Sequence, residues 1–268
     1  MSKTVLVTGA SSGIGKATAR ALAKAGHKVY GAARKTEKMQ DLKAEGIRII
    51  ELDVANDDSI VSAVEQIIAR EGSVDILVNN AGYGEYGPIE NVPMEDARYQ
   101  LEVNLFGAAR LIRLVLPKMR ENKWGKIVNV TSIGGKIATA FGGWYHASKF
   151  ALEGLSDALR QEVRPFGIDV IVIEPGAIQT GWGNIAAENM LQNAGGTAYE
   201  DAAGKTYDFM KKSDGAGSDP QVIADLIMQA LGAQKPTARY FGGAFAAEIL
   251  GARKTMTDEE FDAMMAGA

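Results

Sequence analysis

A short apolar run at Thr4–Thr8 leads at once into a turn with glycines at 9, 13 and 15, and then into an amphipathic stretch over Gly15–Ala25. This succession of strand, glycine turn and helix restricts the fold more than any other feature. A buried strand that feeds a helix returns to its sheet by a crossover, which places the next strand parallel to the first. The alternation then repeats. Apolar runs at Lys28–Ala33, Arg48–Leu52, Ile76–Asn79, Lys126–Thr131, Asp169–Ile173 and Ala238–Phe241 predict strands buried on both faces. Helical spacing predicts helices over Asp57–Arg70, Leu101–Arg120, Tyr145–Arg164 and Pro220–Leu231. Ser218, Asp219 and Pro220 supply a capping residue and a first-turn proline for the last of these.

The expected fold class is therefore α/β, a Rossmann-type doubly wound parallel sheet of about seven strands with helices on both faces. The 268 residues and 46% hydrophobic content suffice for one large core, so residues 1–268 are expected to form a single domain. The stretch Gly181–Gly217 breaks the rhythm with scattered Gly, Ala and Asn around Trp182, Met190, Leu191, Tyr199, Phe209 and Met210. It follows PGAIQT at the carboxyl end of a strand, where ligands bind in open α/β sheets, and is read as a long loop serving as a substrate lid. A tail at about 252–268 places Phe261, Met264 and Met265 at helical spacing and is expected to cover the lid or a neighbouring subunit.

A net charge of −4 offers no basic stripe for phosphate, so no nucleic-acid partner is expected. With no cysteine and only His27 and His146 as imidazoles, no metal site is expected either. The first strand begins at about Lys3 and no apolar run approaches the ~20 residues that span a bilayer, so the expectation is a cytoplasmic protein without a membrane span.

Chemistry enters with YHASK. Tyr145 and Lys149 stand four apart on a predicted helix and share one face, and Ser132 lies upstream in VTSIGG. A phenol titrates near ~10 and exchanges protons poorly at neutral pH unless a cation stabilises the phenolate, which Lys149 is placed to do. TGASSGIG at Thr8–Gly15 and NNAG at Asn79–Gly82 precede this pair. Together these motifs resemble the short-chain dehydrogenase/reductase family, over a span from Lys3 to about Phe241. The run YHASKFALEGLSDALRQEVRPFGIDVIVIEPG is most similar to the branch that includes 17-beta-hydroxysteroid, retinol and related carbonyl-reducing enzymes.

The resemblance implies a catalytic tetrad of Asn104 (in EVNLFG), Ser132, Tyr145 and Lys149. Tyr145 would act as general acid or base on the carbonyl or alcohol oxygen, and Ser132 would orient that oxygen. Lys149 would lower the Tyr145 pKa and hold the nicotinamide ribose, and Asn104 would anchor a water chain reaching Lys149. Glycines at 9, 13 and 15 admit a pyrophosphate to the helix N-terminus. By resemblance the cofactor contacts extend to Ser11, Ser12, Gly13, Ile14 and Gly15, to Asp53 and Val54, to Asn80, and to Pro175, Gly176, Ile178 and Thr180.

Cofactor choice turns on the end of the second strand, where a carboxylate would accept from a 2′-hydroxyl. Here the run is Gly31-Ala32-Ala33-Arg34-Lys35, with Ala33 where NAD-preferring relatives carry Asp. Arg34 offers a planar fork suited to a 2′-phosphate, so NADP(H) is expected over NAD(H). Tyr83, Tyr86, Ile133, Ile137, Phe141 and Trp144 are the expected apolar lining, suited to a hydrophobic ketone, aldehyde or alcohol. The small and apolar residues Ala108, Ala109, Ala151, Leu155 and Ala158 are too many for one core-facing stripe and predict subunit contacts, for which the resemblance implies a homodimer or homotetramer. An NAD-preferring dehydrogenase and a non-catalytic NADP-sensing regulator are the alternatives.

Overall fold

The computed structural model describes residues 2–266, so the last two residues of the expected tail lie outside the described residues. In chain order its elements are β1 (Thr4–Thr8), α1 (Gly13–Lys24), β2 (Lys28–Ala33), α2 (Gln40–Ala44), β3 (Arg48–Glu51), α3 (Asp57–Glu71) and β4 (Ile76–Asn79). There follow α4 (Met94–Leu101), α5 (Gly107–Glu121), β5 (Gly125–Val130), α6 (Gly143–Val163) and β6 (Ile168–Pro175). The chain ends with α7 (Trp182–Ala194), α8 (Glu200–Gly215), α9 (Gln221–Gly232), β7 (Arg239–Gly242), α10 (Ala246–Thr255) and α11 (Asp258–Ala266).

The seven strands form one sheet in the order β3-β2-β1-β4-β5-β6-β7, with every pair parallel. Alternation along β1 shows how the sheet feeds two cores. Leu6 points into the layer with Ile60 and Ile67 of α3 and Leu111 and Val115 of α5, while Val5 and Val7 point into the layer with Leu22 of α1 and Ile223 and Ile227 of α9. The strand order reverses between β1 and β4, which opens a crevice at their carboxyl ends. The glycine turn, Asn80 and the start of α1 all border that crevice.

Several stretches differ from expectation. Residues 181–217 are mostly helical, with α7 and α8 packed on one another rather than forming a loop. Their buried face carries Ala186, Met190, Ala194 and Ala203, small and flexible side chains whose spacing the surrounding glycines obscure. The helix predicted from Leu101 begins at Met94 and is interrupted by a π turn over Glu102–Phe106. Helix α9 begins one residue later than predicted, with Asp219 Oδ1 accepting from Gln221 N–H at 2.7 Å. The tail forms α11, whose Phe261 is buried and lies under the Arg253 guanidinium of α10.

Candidate active site

Tyr145 sits two residues into α6, and Lys149 follows one turn later on the same face, its Nζ 5.9 Å from the phenol ring centroid. The ammonium donates to the carbonyl of Val130, the last residue of β5, at 3.0 Å. Ser132 stands just beyond that strand, its Oγ accepting from Gly134 N–H at 3.0 Å. The end of β5 and the first turns of α6 thus bring a phenol, a hydroxyl and an ammonium together.

Burial sets the proton affinities. It pushes the Tyr145 phenol up to about 12, with the Ser132 hydroxyl acting against it. It lowers the Lys149 ammonium to about 8, opposed by the Glu153 charge. Desolvation of the phenolate is the larger cause of the Tyr145 rise, and the Lys149 ammonium faces the Val130 carbonyl. A neutral phenol beside a hydroxyl is a proton donor for a substrate oxygen placed between them.

Asn104 reaches this cluster through the π turn. The wider turn closes on a Gly107 N–H to Glu102 carbonyl bond, and a side chain at Gly107 would collide with the Val54 carbonyl at 2.5 Å. The Asn104 amide is buried, accepting from Tyr83 N–H at 3.1 Å and donating to the Tyr83 carbonyl and to Ser148 Oγ, each at 3.0 Å. Ser148 in turn donates to the Tyr145 carbonyl at 2.6 Å. A methyl group at Gly82 would stand 3.1 Å from Asn104 Oδ1 and 3.6 Å from Lys149 Nζ, so both polar groups flank one point.

The crevice beyond has the features a dinucleotide requires. Helix α1 begins at Gly13 with no side-chain cap and no acidic residue in its first turn, leaving its amides open to an anion. Gly9 and Gly13 have φ of 67° and 51°, the left-handed region that favours glycine. A side chain at Gly15 would lie 2.4 Å from Gly9 O and from Asn80 Nδ2. Asn80 donates its amide to the Thr8 carbonyl at 3.0 Å, which fixes the glycine turn to the end of β4. Ser11, Ser12 and Ile14 complete the turn, with Ser12 exposed and Ile14 packed on the core.

The other expected contacts fall around this crevice at different depths. Asp53 lies just past β3, its carboxylate accepting from Ala55 N–H at 2.9 Å, and Val54 is buried beside Gly107. Pro175 ends β6, Gly176 donates to the Gly242 carbonyl at 2.8 Å, Ile178 is in the core, and Thr180 approaches Gly13. Arg34 is exposed at the end of β2 and donates to the Tyr99 hydroxyl at 3.1 Å. The Tyr99 ring also packs on Tyr83, at 5.8 Å. Tyr99 lies on α4, a helix the spacing did not predict.

On the opposite side of Tyr145 an aromatic cluster gathers. Tyr86 and Trp182 lie 5.7 Å and 4.9 Å from the Tyr145 ring, with Phe141 packed alongside. Of the expected lining, Tyr86 and Phe141 are here, Tyr83 turns towards Tyr99, Ile137 is buried, and Trp144 lies outside the cluster. Helix α7 is tied down by Asn193, whose amide donates to Glu85 Oε1 and to the Tyr86 carbonyl, both at 2.9 Å. Burial raises the Glu85 pKa, and the bonds from Asn193 and Asn189 oppose that. Gln100 and Ser148, both fully buried and bonded into this scaffold, were also missed, since single polar residues in helices give no periodic signal.

Among the described residues, no cluster of His, Asp or Glu is placed to hold a metal ion, and no helix is long and apolar enough to cross a membrane.

A family model described as short chain dehydrogenase matches residues 3–190. The chain is 38% identical over 236 residues to a 3-ketodihydrosphingosine reductase of Bacteroides thetaiotaomicron, covering 88% of this chain and 86% of the relative. It is 34% identical over 250 residues to an NADPH-dependent 3-dehydrocapnine reductase of Ornithobacterium rhinotracheale, covering 88% and 86%. The crystal structure of a short-chain dehydrogenase from Streptomyces avermitilis is similar with a TM-score of 0.83 at 36% identity, covering 100% of this chain and 96% of that one.

Proposed function

Because this chain belongs to the short-chain dehydrogenase/reductase family, an oxidoreductase family acting on alcohol and keto groups, we propose that it is an NADP(H)-dependent carbonyl reductase for a hydrophobic ketone or aldehyde. The observation that carries this reading is the meeting of Tyr145, Ser132, Lys149 and Asn104 at the end of β5, beside a glycine turn open to a pyrophosphate.

When bound, the nicotinamide supplies or accepts the hydride. Tyr145 donates its phenolic proton to the carbonyl oxygen in reduction and removes it from the alcohol in oxidation. Ser132 orients that oxygen, and its acceptance of the Gly134 N–H leaves its own hydrogen free to donate. Lys149 holds the ribose and passes a proton towards Tyr145, with Asn104 fixing the water route that reaches it. Gly9, Gly13, Gly15 and the open amides of α1 take the pyrophosphate, and Arg34 takes the 2′-phosphate. Reduction with NADPH is supported by the relative named for that cofactor.

The aromatic cluster of Tyr86, Phe141 and Trp182 favours an apolar substrate, and helices α7 and α8 act as its lid. Exposed Phe106 and Phe150, next to α5 and on α6, support assembly of subunits through those helices. The test is NADPH oxidation against a panel of steroid, retinoid, aromatic and long-chain 3-keto compounds. Turnover of an apolar ketone is the expected outcome. No turnover of any member, with NADPH still bound, would favour a non-catalytic sensor.

A further inference from the structure

His146 follows Tyr145 on α6, is buried, and uses both ring nitrogens. The Thr139 backbone N–H, which can only donate, lies 3.1 Å from Nε2, and the Gly134 carbonyl, which can only accept, lies 2.9 Å from Nδ1. These partners assign the neutral ring with its proton on Nδ1. Burial also holds the imidazole below its ordinary pKa.

The same Gly134 whose carbonyl accepts from His146 donates its N–H to Ser132 Oγ at 3.0 Å. One glycine therefore stands between the imidazole and the hydroxyl. The space around the ring is closely shaped: a methyl group at Gly134 would lie 2.9 Å from His146 Nδ1 and 3.1 Å from Tyr145 Cε1, and one at Gly142 would lie 2.6 Å from His146 Nε2. Between them Phe141 adopts φ of 64°, a conformation that a bulky side chain holds only when its surroundings impose it. The titratable side chains packed on the ring are the Tyr145 and Tyr86 phenols, 5.5 Å and 6.3 Å away.

We propose that His146 is a positioning residue for the reaction, holding Gly134 and the segment 132–142 so that the Ser132 hydroxyl is aimed at the substrate oxygen beside Tyr145. It touches neither substrate nor cofactor and acts through Gly134. The inference rests on the carbonyl-reductase reading.

The experiment compares His146→Asn, whose amide can still donate to the Gly134 carbonyl, with His146→Gln, whose amide sits one bond further out and loses that partner. Each is made alone and with Ser132→Ala, in the full chain, with an active ketone from the panel, NADPH titration and melting temperature. The Gln variant is expected to lose about ten- to hundredfold in kcat, with NADPH dissociation constant within about twofold of the parent. The Asn variant is expected to stay within about threefold of the parent. In the Ser132→Ala background, His146→Gln should change kcat by less than about threefold, because the hydroxyl it positions is gone. Equal losses in both backgrounds, a Gln variant with parental kcat, or losses that track melting temperature alone across Asn and Gln would overturn the proposal. Failure of every ketone of the panel to be turned over, with NADPH still bound, would instead overturn the carbonyl-reductase reading, and this inference with it.

Discussion

The Trp182 ring, at the first residue of α7, lies 4.9 Å from the Tyr145 ring, centroid to centroid, and is tilted by 52° to it. A side chain at Gly84 would meet that same indole at 2.4 Å, so the ring is enclosed by the loop carrying Glu85 and Tyr86. If α7 is a substrate lid, Trp182 forms its apolar inner surface. Trp182→Ala is expected to lower kcat/KM for an apolar ketone by about three- to tenfold, mainly through KM, the scale of one aromatic contact. NADPH affinity should be unchanged; an equal loss in cofactor affinity would place Trp182 at the nicotinamide instead.

Tyr145→Phe removes the proton donor while keeping the ring that packs against Tyr86 and Trp182. Turnover should fall by at least about a hundredfold, the ordinary contribution of a positioned general acid. Fluorescence titration should find NADPH binding nearly intact. Activity within tenfold of the parent would remove Tyr145 from the mechanism.

Lys149 couples stability to pH in a direction set by its burial. Its folded pKa of about 8 lies below the ordinary 10.5, so between these values the unfolded chain holds the proton more tightly. Stability from this group is therefore least below about pH 8 and rises as the pH climbs towards 10.5. Lys149→Met should abolish turnover and weaken NADPH, yet stabilise the fold at pH 7 by on the order of 1–3 kcal/mol. That advantage should shrink as denaturant melts are repeated from pH 8 upward; an advantage independent of pH would contradict the assignment.

Arg34 tests the cofactor reading. Arg34→Ala should weaken NADPH by roughly 1.5–3 kcal/mol, about ten- to a hundredfold, with little effect on NADH, because charge-assisted bonds to the 2′-phosphate are lost. Ala33→Asp should go further by repelling the phosphate and accepting from the ribose hydroxyl. The measurement is kcat/KM with both cofactors. A parent that prefers NADH, or equal weakening of both by Arg34→Ala, would show that Arg34 does not read the phosphate.

Assembly gives a further test, since Phe106 and Phe150 are 47% and 46% exposed. Light scattering at micromolar concentration should find a dimer or tetramer, and Phe150→Asp should shift it towards monomer. A monomeric parent would refute association through α5 and α6.

Much of this architecture was legible in the chain because buried strands read as short apolar runs, and all seven runs are strands of the sheet, although the edge strands β3 and β7 are only partly buried and not covered on both faces as expected. Likewise YHASK places Tyr145 and Lys149 on one face by helical spacing alone. The helical form of residues 181–217 escaped that reading because the buried positions of α7 and α8 are largely Ala and Met between glycines, which carry little amphipathic contrast. Asn104 was legible as a motif, but its inward turn was not: a π turn shifts the register of a helix without any change in composition.

The chain alone carries the seven strands in order, the main crossover helices between them, the glycine turn at the head of α1, and the residue types that could move a proton. These follow from local periodicity and from the chemistry of single side chains. Packing settled the rest. It turned Lys149 towards the Val130 carbonyl, raised the Tyr145 phenol by burial, joined Arg34 to Tyr99, and linked His146 to Ser132 through Gly134. Burial and hydrogen-bond partners arise from the packing of elements distant in the chain, and no local pattern encodes them.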